Sequence, residues 1–309
     1  MKRIVITEFM AETALDDFES GYSILYDPAL ANDRPRLLQA VHDTDALIVR
    51  NKTVVDQELL NAAPKLKVVG RLGVGLDNFD LIACQKRKVQ VKAATGANAH
   101  AVAEYVIGAV LTLQRNVVFA KHLMLSGNWP RESLSMGNEI QKTTMGFIGF
   151  GNIAKTVAEK ARALGMKTIA YDPYLAPNDE GWQTTRRCKL NEVFREADAL
   201  SLHVPLTDET RHMVNEEKLD LMKTNAVLIN TARGGVVDEG ALVRKLKDLS
   251  LTGAALDVFE NEPLTYGNAS IFDDCPNLIL TPHIAGVTVQ SNLRVSKMTV
   301  KQVKQALEF

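Results

Sequence analysis

Residues 145–174 read "MGFIGFGNIAKTVAEKARALGMKTIAYDPY", and this stretch decides the fold. An apolar run leads into Gly149 and Gly151, a helical pattern starts at once, and a second apolar run ends in Asp172. Each piece has a physical task in holding a dinucleotide. Gly149 permits the tight turn from strand to helix, and Gly151 lacks the side chain that would block a pyrophosphate. The helix that begins near Asn152 offers free backbone N–H groups to the phosphate charge. Asp172 stands about 20 residues further on, where a carboxylate can bond both ribose hydroxyls. A carboxylate there repels a 2′-phosphate, and no arginine follows it directly, so the pattern favours NAD over NADP. The third glycine position holds Ala154, which suits a position whose task is close helix–strand packing. A lone GxG often marks only a tight turn; the flanking strand, helix and acid lift this one above that reading.

The same alternation runs outward in both directions. Before it come "RIVIT", the helical "ETALDDFES", "YSILYD", "ALIVR", the helical "DQELLNAA", "LKVVGRLG", the helical "NFDLIACQKR" and "VQVKAA". After it the series continues to "NLILTPH", and the tail "SNLRVSKMTVKQVKQALEF" has helical spacing. Strands separated by helices imply βαβ units and parallel sheets covered on both faces, an α/β fold. The 309-residue length favours two domains over one. The segment 98–125, "NAHAVAEYVIGAVLTLQRNVVFAKHLML", reads as one long helix that stops at "SGNWP".

Composition narrows the partners. A net charge of −1 gives no electrostatic reason to expect nucleic acid or a membrane surface. Cys84, Cys188 and Cys275 lie far apart with no CxxC pair, which argues against a disulfide framework or zinc and fits a reducing compartment. The opening "MKRIVITEF" has too short an apolar run for a signal peptide, and no run nears the roughly 18 residues of a membrane span. The expectation is a cytoplasmic protein with a small-molecule substrate and no metal.

Three further segments follow predicted strands, and ligands of open parallel sheets bind at the carboxyl ends of strands. "AVLINTARGGVVDEGAL" places Arg233 there, "TGAALDVFENEPL" places Asp257 and Glu262, and "LILTPHIAG" places His283. Oxidising an alcohol requires removal of the hydroxyl proton as hydride leaves carbon. A histidine suits that task, because its ordinary pKa lies near operating pH. A carboxylate on its other ring nitrogen fixes the tautomer, and an arginine can hold a substrate carboxylate through two parallel bonds. Among the six histidines, His203 in "SLHVPL" rivals His283, since it too closes an apolar strand, but it lacks a nearby Glu-Pro segment. Glu260 and Glu262 in "FENEP" are not separable on residue type alone.

The segments "RLGVGLDNFD", "NAHAVAEYVIGAVL", "MGFIGFGNIA", "LHVPLTDET", "NTARGGVVDEGALV", "GAALDVFENEPL" and "TPHIAG" resemble, in order, those of the D-isomer-specific 2-hydroxyacid dehydrogenases. The resemblance covers nearly the whole chain and looks most like phosphoglycerate dehydrogenases without a regulatory extension. It implies catalytic roles for Arg233, Glu262 and His283, the acid being the one directly before the proline. It implies NAD contacts at Gly149, Gly151, Asn152, Ile153, Asp172, Val204, Pro205, Thr231, Ala232, Arg233, Asp257, His283 and Gly286. A substrate-gripping backbone loop falls on Gly73, Val74 and Gly75, with Arg233 and His283 also touching substrate. Two departures are Ala154 and Gln141, the latter where a glycine usually precedes "KT"; they concern cofactor packing and not chemistry.

The resemblance also implies two Rossmann-like domains with the active-site cleft between them. Residues 1–97 plus 286–309 would form a flavodoxin-like substrate domain, and 98–285 an NAD-binding domain whose long helix serves a homodimer. Arg50 and Asn51, with Lys52, follow a strand of the first domain; if they face inward, the substrate carries a second anionic group. Trp129 and Arg131 could reach a partner subunit. Glyoxylate or hydroxypyruvate reductase and sulfolactate dehydrogenase activities stay open. A non-catalytic NADH-sensing protein of the corepressor kind shares the fold, and formate dehydrogenases carry glutamine where Glu262 stands.

Overall fold

Strands whose successive residues are all apolar, such as Ala46–Val49, need cover on both faces, and helices packed on each side of two sheets provide it. The computed structural model describes residues 1–18, 20–117 and 120–308. Parts of the expected helices at Glu19, at Val118 and Phe119 and at Phe309 lie outside the described residues, as does the side chain of His122. The chain forms two compact units, residues 1–98 with 287–309, and residues 99–286.

The first unit holds strands β1 (Lys2–Ile6), β2 (Tyr22–Tyr26), β3 (Ala46–Val49), β4 (Val68–Arg71) and β5 (Gln90–Ala93). They lie in the order β2-β1-β3-β4-β5, and every pair is parallel. This is the flavodoxin-like order of doubly wound sheets. Ile4 and Ile6 of β1 pack with Ile48 and Val68 against Val300 and Val303 of the tail helix Val289–Glu308. Val5 points the other way, joining Leu47, Val49 and Val69 against Leu37, Leu59 and Leu60. That alternation is the two-residue period of a pleated strand covered on both faces. "ETALDD" forms a 3-10 turn, Glu12–Asp17, and not an α-helix.

The second unit holds β6 (Thr144–Ile148), β7 (Lys167–Tyr171), β8 (Arg186–Arg187), β9 (Ala199–Leu202), β10 (Val227–Asn230), β11 (Gly253–Leu256) and β12 (Leu278–Leu280). Their order is β12-β11-β10-β9-β6-β7-β8, again all parallel. Numbered from its first strand this is 3-2-1-4-5-6 with one more strand added, the dinucleotide-binding winding. The strand order reverses between β6 and β9, so the ends of those two strands border the crevice where such sheets bind ligands. Helices Ala99–Arg115 and Asn152–Ala163 cover one face, and Leu190–Glu196 and Glu239–Lys247 help cover the other. The Ala154 methyl is fully buried in the first of these faces, which is where the packing task of a third glycine lies.

The segment expected as one helix over 98–125 is interrupted. The helix Ala99–Arg115 stops at Asn116, whose φ of 52° is left-handed, and a separate helix spans Ala120–Leu125. Asparagine tolerates that conformation at a helix end better than most residues, while the apolar spacing that predicts one helix continues past it.

Gly70 in β4 shows how closely the tail helix seats. A β-carbon there would stand 2.7 Å from both Thr299 Cγ2 and Val303 Cγ2. Gly70→Ala is expected to destabilise the first unit by about 1–3 kcal/mol through overpacking. A lowered urea midpoint would register this, and an unchanged midpoint would show the helix free to shift.

Candidate active site

In the second unit the glycine turn after β6 is set by close approach. Gly149 has φ +82°, and a β-carbon on it would lie 2.5 Å from the His203 carbonyl oxygen and 3.0 Å from Val204 Cγ1. Gly151 differs: a β-carbon there would meet nothing within 4 Å. It caps the helix Asn152–Ala163 with no side-chain cap bond, so no capping side chain takes the first N–H groups, those of Asn152 and Ile153. Asp172 accepts from Phe150 N–H at 2.8 Å and Tyr174 N–H at 2.9 Å, which pins the turn and leaves carboxylate lone pairs over. Pro205 lies in the turn after β9, its carbonyl accepting from Thr210 Oγ1 at 2.6 Å.

After β10, the buried Asn230 side chain folds the next turn by accepting from Ala232 N–H and donating to the Arg233 carbonyl, both at 3.0 Å. Thr231 Oγ1 is buried with no hydrogen-bond partner among the described residues. Gly234 is essential to this shape. A β-carbon on it would overlap the Phe259 carbonyl oxygen at 1.7 Å, so the Arg233 turn is pressed onto the turn after β11.

That second turn carries both glutamates, and the structure separates them. Glu262 Oε1 accepts from Phe259 N–H at 3.1 Å, while Oε2 meets His283 Nδ1 at 2.8 Å. Glu260 turns away, bonding His212 Nε2 at 3.0 Å, and its own N–H donates to the Glu239 carboxylate at 2.7 Å. Burial raises the Glu262 carboxyl, but the His283 bond and charge, the Phe259 N–H and the nearby Arg233 outweigh it and hold the group below its ordinary range. An ionised Glu262 accepts, so Nδ1 of His283 carries the proton and Nε2 presents a lone pair.

His283 has φ +56° and so needs a firmly held loop. Asp257, 1% exposed, provides it. Its carboxylate accepts from Thr281 Oγ1 at 2.6 Å, Ile284 N–H at 2.8 Å and Ala285 N–H at 2.7 Å, bracketing His283 on both sides. With the Thr281 hydroxyl hydrogen committed to Asp257, the Thr281 oxygen accepts from Tyr105 O–H at 2.6 Å. Tyr105 and Thr281 escaped the sequence reading. The available signal was one polar-tipped aromatic spaced with Val102 and Ala109 along a helix.

The rival histidines fall elsewhere. His203 Nε2 bonds Ser201 Oγ at 2.9 Å, and burial pushes its pKa down to about 3, so it stays neutral. His42 and His100 are exposed.

In the first unit the loop after β4 is built around Arg71, another residue not singled out from sequence. Its guanidinium donates to the Leu72 and Gly75 carbonyls, both at 2.7 Å. Gly73, at φ +148°, leaves room for that guanidinium; a β-carbon would stand 1.7 Å from Nη1. The Gly73 N–H is already bonded to the Arg71 carbonyl at 2.8 Å. Among the described residues, the N–H groups of Val74 and Gly75 have no acceptor. Arg50 is half-buried after β3, with Nη2 on Asn292 Oδ1 at 3.1 Å and its guanidinium 6.0 Å from the Phe9 ring. Asn51, Lys52 and Trp129 are exposed.

Residues 107–285 match the family model described as D-isomer specific 2-hydroxyacid dehydrogenase, NAD binding domain. An (S)-sulfolactate dehydrogenase of Chromohalobacter salexigens is 49% identical over 308 residues, 99% of each chain. The chain belongs to the D-isomer-specific 2-hydroxyacid dehydrogenase family. A glyoxylate reductase of Thermococcus litoralis is 36% identical, covering 97% of this chain and 92% of its own. A D-lactate dehydrogenase of Aquifex aeolicus, solved with NAD and lactic acid, aligns with a TM-score of 0.84 at 30% identity, covering 99% and 96%.

This dehydrogenase uses NAD, and its residues fit that cofactor. The open space at Gly151, the uncapped helix start, the partly exposed Asp172 and the unpartnered Thr231 hydroxyl are what a pyrophosphate, a ribose and a polar ring substituent require. Among the described residues there is no cluster of His, Cys, Asp and Glu that could hold a metal, and no helix is long and apolar enough to cross a membrane.

The lowered Glu262 carboxyl gives a pH prediction. Its contribution to stability is complete above the ordinary carboxylate value of 4.5 and is lost as pH falls through the lower folded value. Glu262→Gln should therefore flatten the acid limb of melting temperature against pH, read between about pH 5 and pH 3. An acid limb as steep as that of the parent protein would contradict the pairing.

Proposed function

We propose that this NAD-dependent dehydrogenase interconverts a small 2-hydroxy acid and its 2-oxo acid, with His283 as acid–base catalyst. The observation that carries this reading is the 2.8 Å bond between His283 Nδ1 and Glu262 Oε2. It leaves Nε2 as the nitrogen that takes the hydroxyl proton in oxidation and returns it in reduction. The developing imidazolium is stabilised by the Glu262 carboxylate, which remains ionised. Arg233 grips the substrate carboxylate and orients the reacting carbon. Gly149, Gly151, Asn152, Ile153, Asp172, Val204, Pro205, Thr231, Ala232, Asp257 and Gly286 would hold NAD, which would supply the hydride acceptor. Asp257 also holds the loop of His283, so one buried carboxylate serves both tasks.

In the first unit, Val74 and Gly75 offer free N–H groups of the kind that bind an anion in a backbone nest. Arg50 has no carboxylate at ion-pair distance among the described residues. A partly desolvated guanidinium with no carboxylate in contact, the charge of Glu8 acting on it only from a distance, favours an anionic ligand. A substrate with a second anionic group satisfies it, in keeping with the sulfolactate named for the Chromohalobacter relative. Glyoxylate and hydroxypyruvate are the alternatives without such a group. We read the exposed apolar side chains Val117, Leu125, Trp129 and Met136 as the surface through which two copies pair, and place the protein in the cytoplasm.

NADH absorbance with a panel of sulfopyruvate, phosphohydroxypyruvate, hydroxypyruvate and glyoxylate is the test. His283→Ala should lower kcat at least about 100-fold by removing the acid–base group, with NADH binding by fluorescence retained. Unchanged turnover in that variant would remove His283 from the mechanism.

A further inference from the structure

A carboxylate buried without a cation in contact demands an explanation, and Glu8 is one. Only 5% exposed, it lies two residues past the end of β1. Its two oxygens accept four consecutive backbone N–H groups from the loop after the adjacent strand β3. Oε1 takes Arg50 at 2.7 Å and Thr53 at 3.0 Å; Oε2 takes Asn51 at 3.1 Å and Lys52 at 3.0 Å. Burial raises the carboxyl, yet these four donors outweigh it and keep Glu8 below its ordinary value, so it is ionised at neutral pH. From the other side Asn78 Nδ2 donates to the Thr53 carbonyl at 2.6 Å, and Thr53 Oγ1 bonds Thr7 Oγ1 at 2.8 Å.

The loop is therefore rigid, and its shape decides what it offers. Because every N–H from 50 to 53 is turned onto Glu8, the backbone there has no N–H left to give an anion. Recognition must come from side chains, and the foremost is Arg50, whose guanidinium is steadied by Asn292 and Phe9. Strand β3 neighbours β4, whose following loop carries the free N–H groups of Val74 and Gly75. The two strands are parallel, so both loops leave the sheet at its carboxyl end, where ligands of such sheets bind.

We propose that Glu8 is a positioning residue for substrate specificity: by clamping the Arg50–Thr53 backbone it fixes the Arg50 guanidinium as a subsite for an anionic group on the third carbon of the substrate. This rests on the dehydrogenase reading above and narrows it to three-carbon 2-oxo and 2-hydroxy acids ending in sulfonate, phosphate ester or carboxylate. Glu8 does not touch the substrate. Its negative charge alone would oppose an anion nearby, so charge and geometry predict opposite effects of removing it.

Glu8→Gln keeps the size of the side chain but replaces one acceptor oxygen by an N–H donor facing N–H donors. Steady-state kinetics with sulfopyruvate, phosphohydroxypyruvate and oxaloacetate, set against glyoxylate, separate the possibilities. The expected result is a KM at least about 10-fold higher for the preferred anionic-tailed acid, the scale of one weakened charge-assisted hydrogen bond. The KM for glyoxylate should rise by a much smaller factor, with kcat for the two substrates moving together. In the background Arg50→Met, adding Glu8→Gln should raise the anionic-tail KM little further, because Glu8 acts through Arg50. If Glu8→Gln fails to fold, Glu8→Asp carries the test, with the same split at smaller size. An equal loss with glyoxylate and the tailed acids, or a lowered KM for the tailed acids, overturns the proposal. A parent protein with no preference for an anionic tail overturns both this inference and the substrate class, whereas a preference kept intact by the variant overturns the role of Glu8 alone.

Discussion

Which ring nitrogen of His283 carries a proton is the constraint on which the chemistry depends. Glu262 Oε2 lies 2.8 Å from Nδ1, so the ionised acid claims that side of the ring and leaves Nε2 for the reaction. A histidine at φ +56° cannot hold such a geometry by its own preference. The neighbouring backbone must impose it, and Asp257 does so by gripping the residues before and after it. Tyr105 adds a tie from the helix Ala99–Arg115 through the Thr281 hydroxyl.

One structural device recurs at the strand ends. A buried polar side chain at or just past the end of a strand takes up backbone N–H groups of a turn. Asp257 does this for Ile284 and Ala285, Asn230 for Ala232 in its own turn, and Glu8 for 50–53. Parallel sheets leave these loops without ladder partners, and a buried N–H without an acceptor is costly. A carboxylate with two oxygens can satisfy several at once, so the loops become rigid while their side chains remain available. Gly73 and Gly234 complete the arrangement by letting Arg71 and the Phe259 carbonyl approach where any side chain would collide.

Much of this was legible in the sequence because it is periodic or local. The strands followed from alternating apolar runs, and the dinucleotide turn followed from Gly149, Gly151 and Asp172 at fixed spacing. Arg233 and His283 stood out because they follow predicted strands, and Glu262 through the resemblance, which places the acid directly before the proline. What was not legible depends on contacts across the chain. Nothing local separates Glu260 from Glu262; their partners, His212 and His283, lie 48 and 21 residues away. Glu8 lies 42 residues before Arg50 in a stretch that reads as ordinary polar loop, and Tyr105 lies 176 residues before Thr281. The break at Asn116 was hidden for another reason: apolar spacing continues past it, and one left-handed residue leaves no trace in periodicity.

The tautomer of His283 tests the central claim most directly. Nitrogen-15 NMR of imidazole-labelled protein above the histidine pKa distinguishes a protonated Nδ1 from a protonated Nε2. The account predicts the Nδ1–H form for His283, moving toward a mixture of tautomers in Glu262→Gln. A resting ring with the proton on Nε2, indifferent to that substitution, would contradict it.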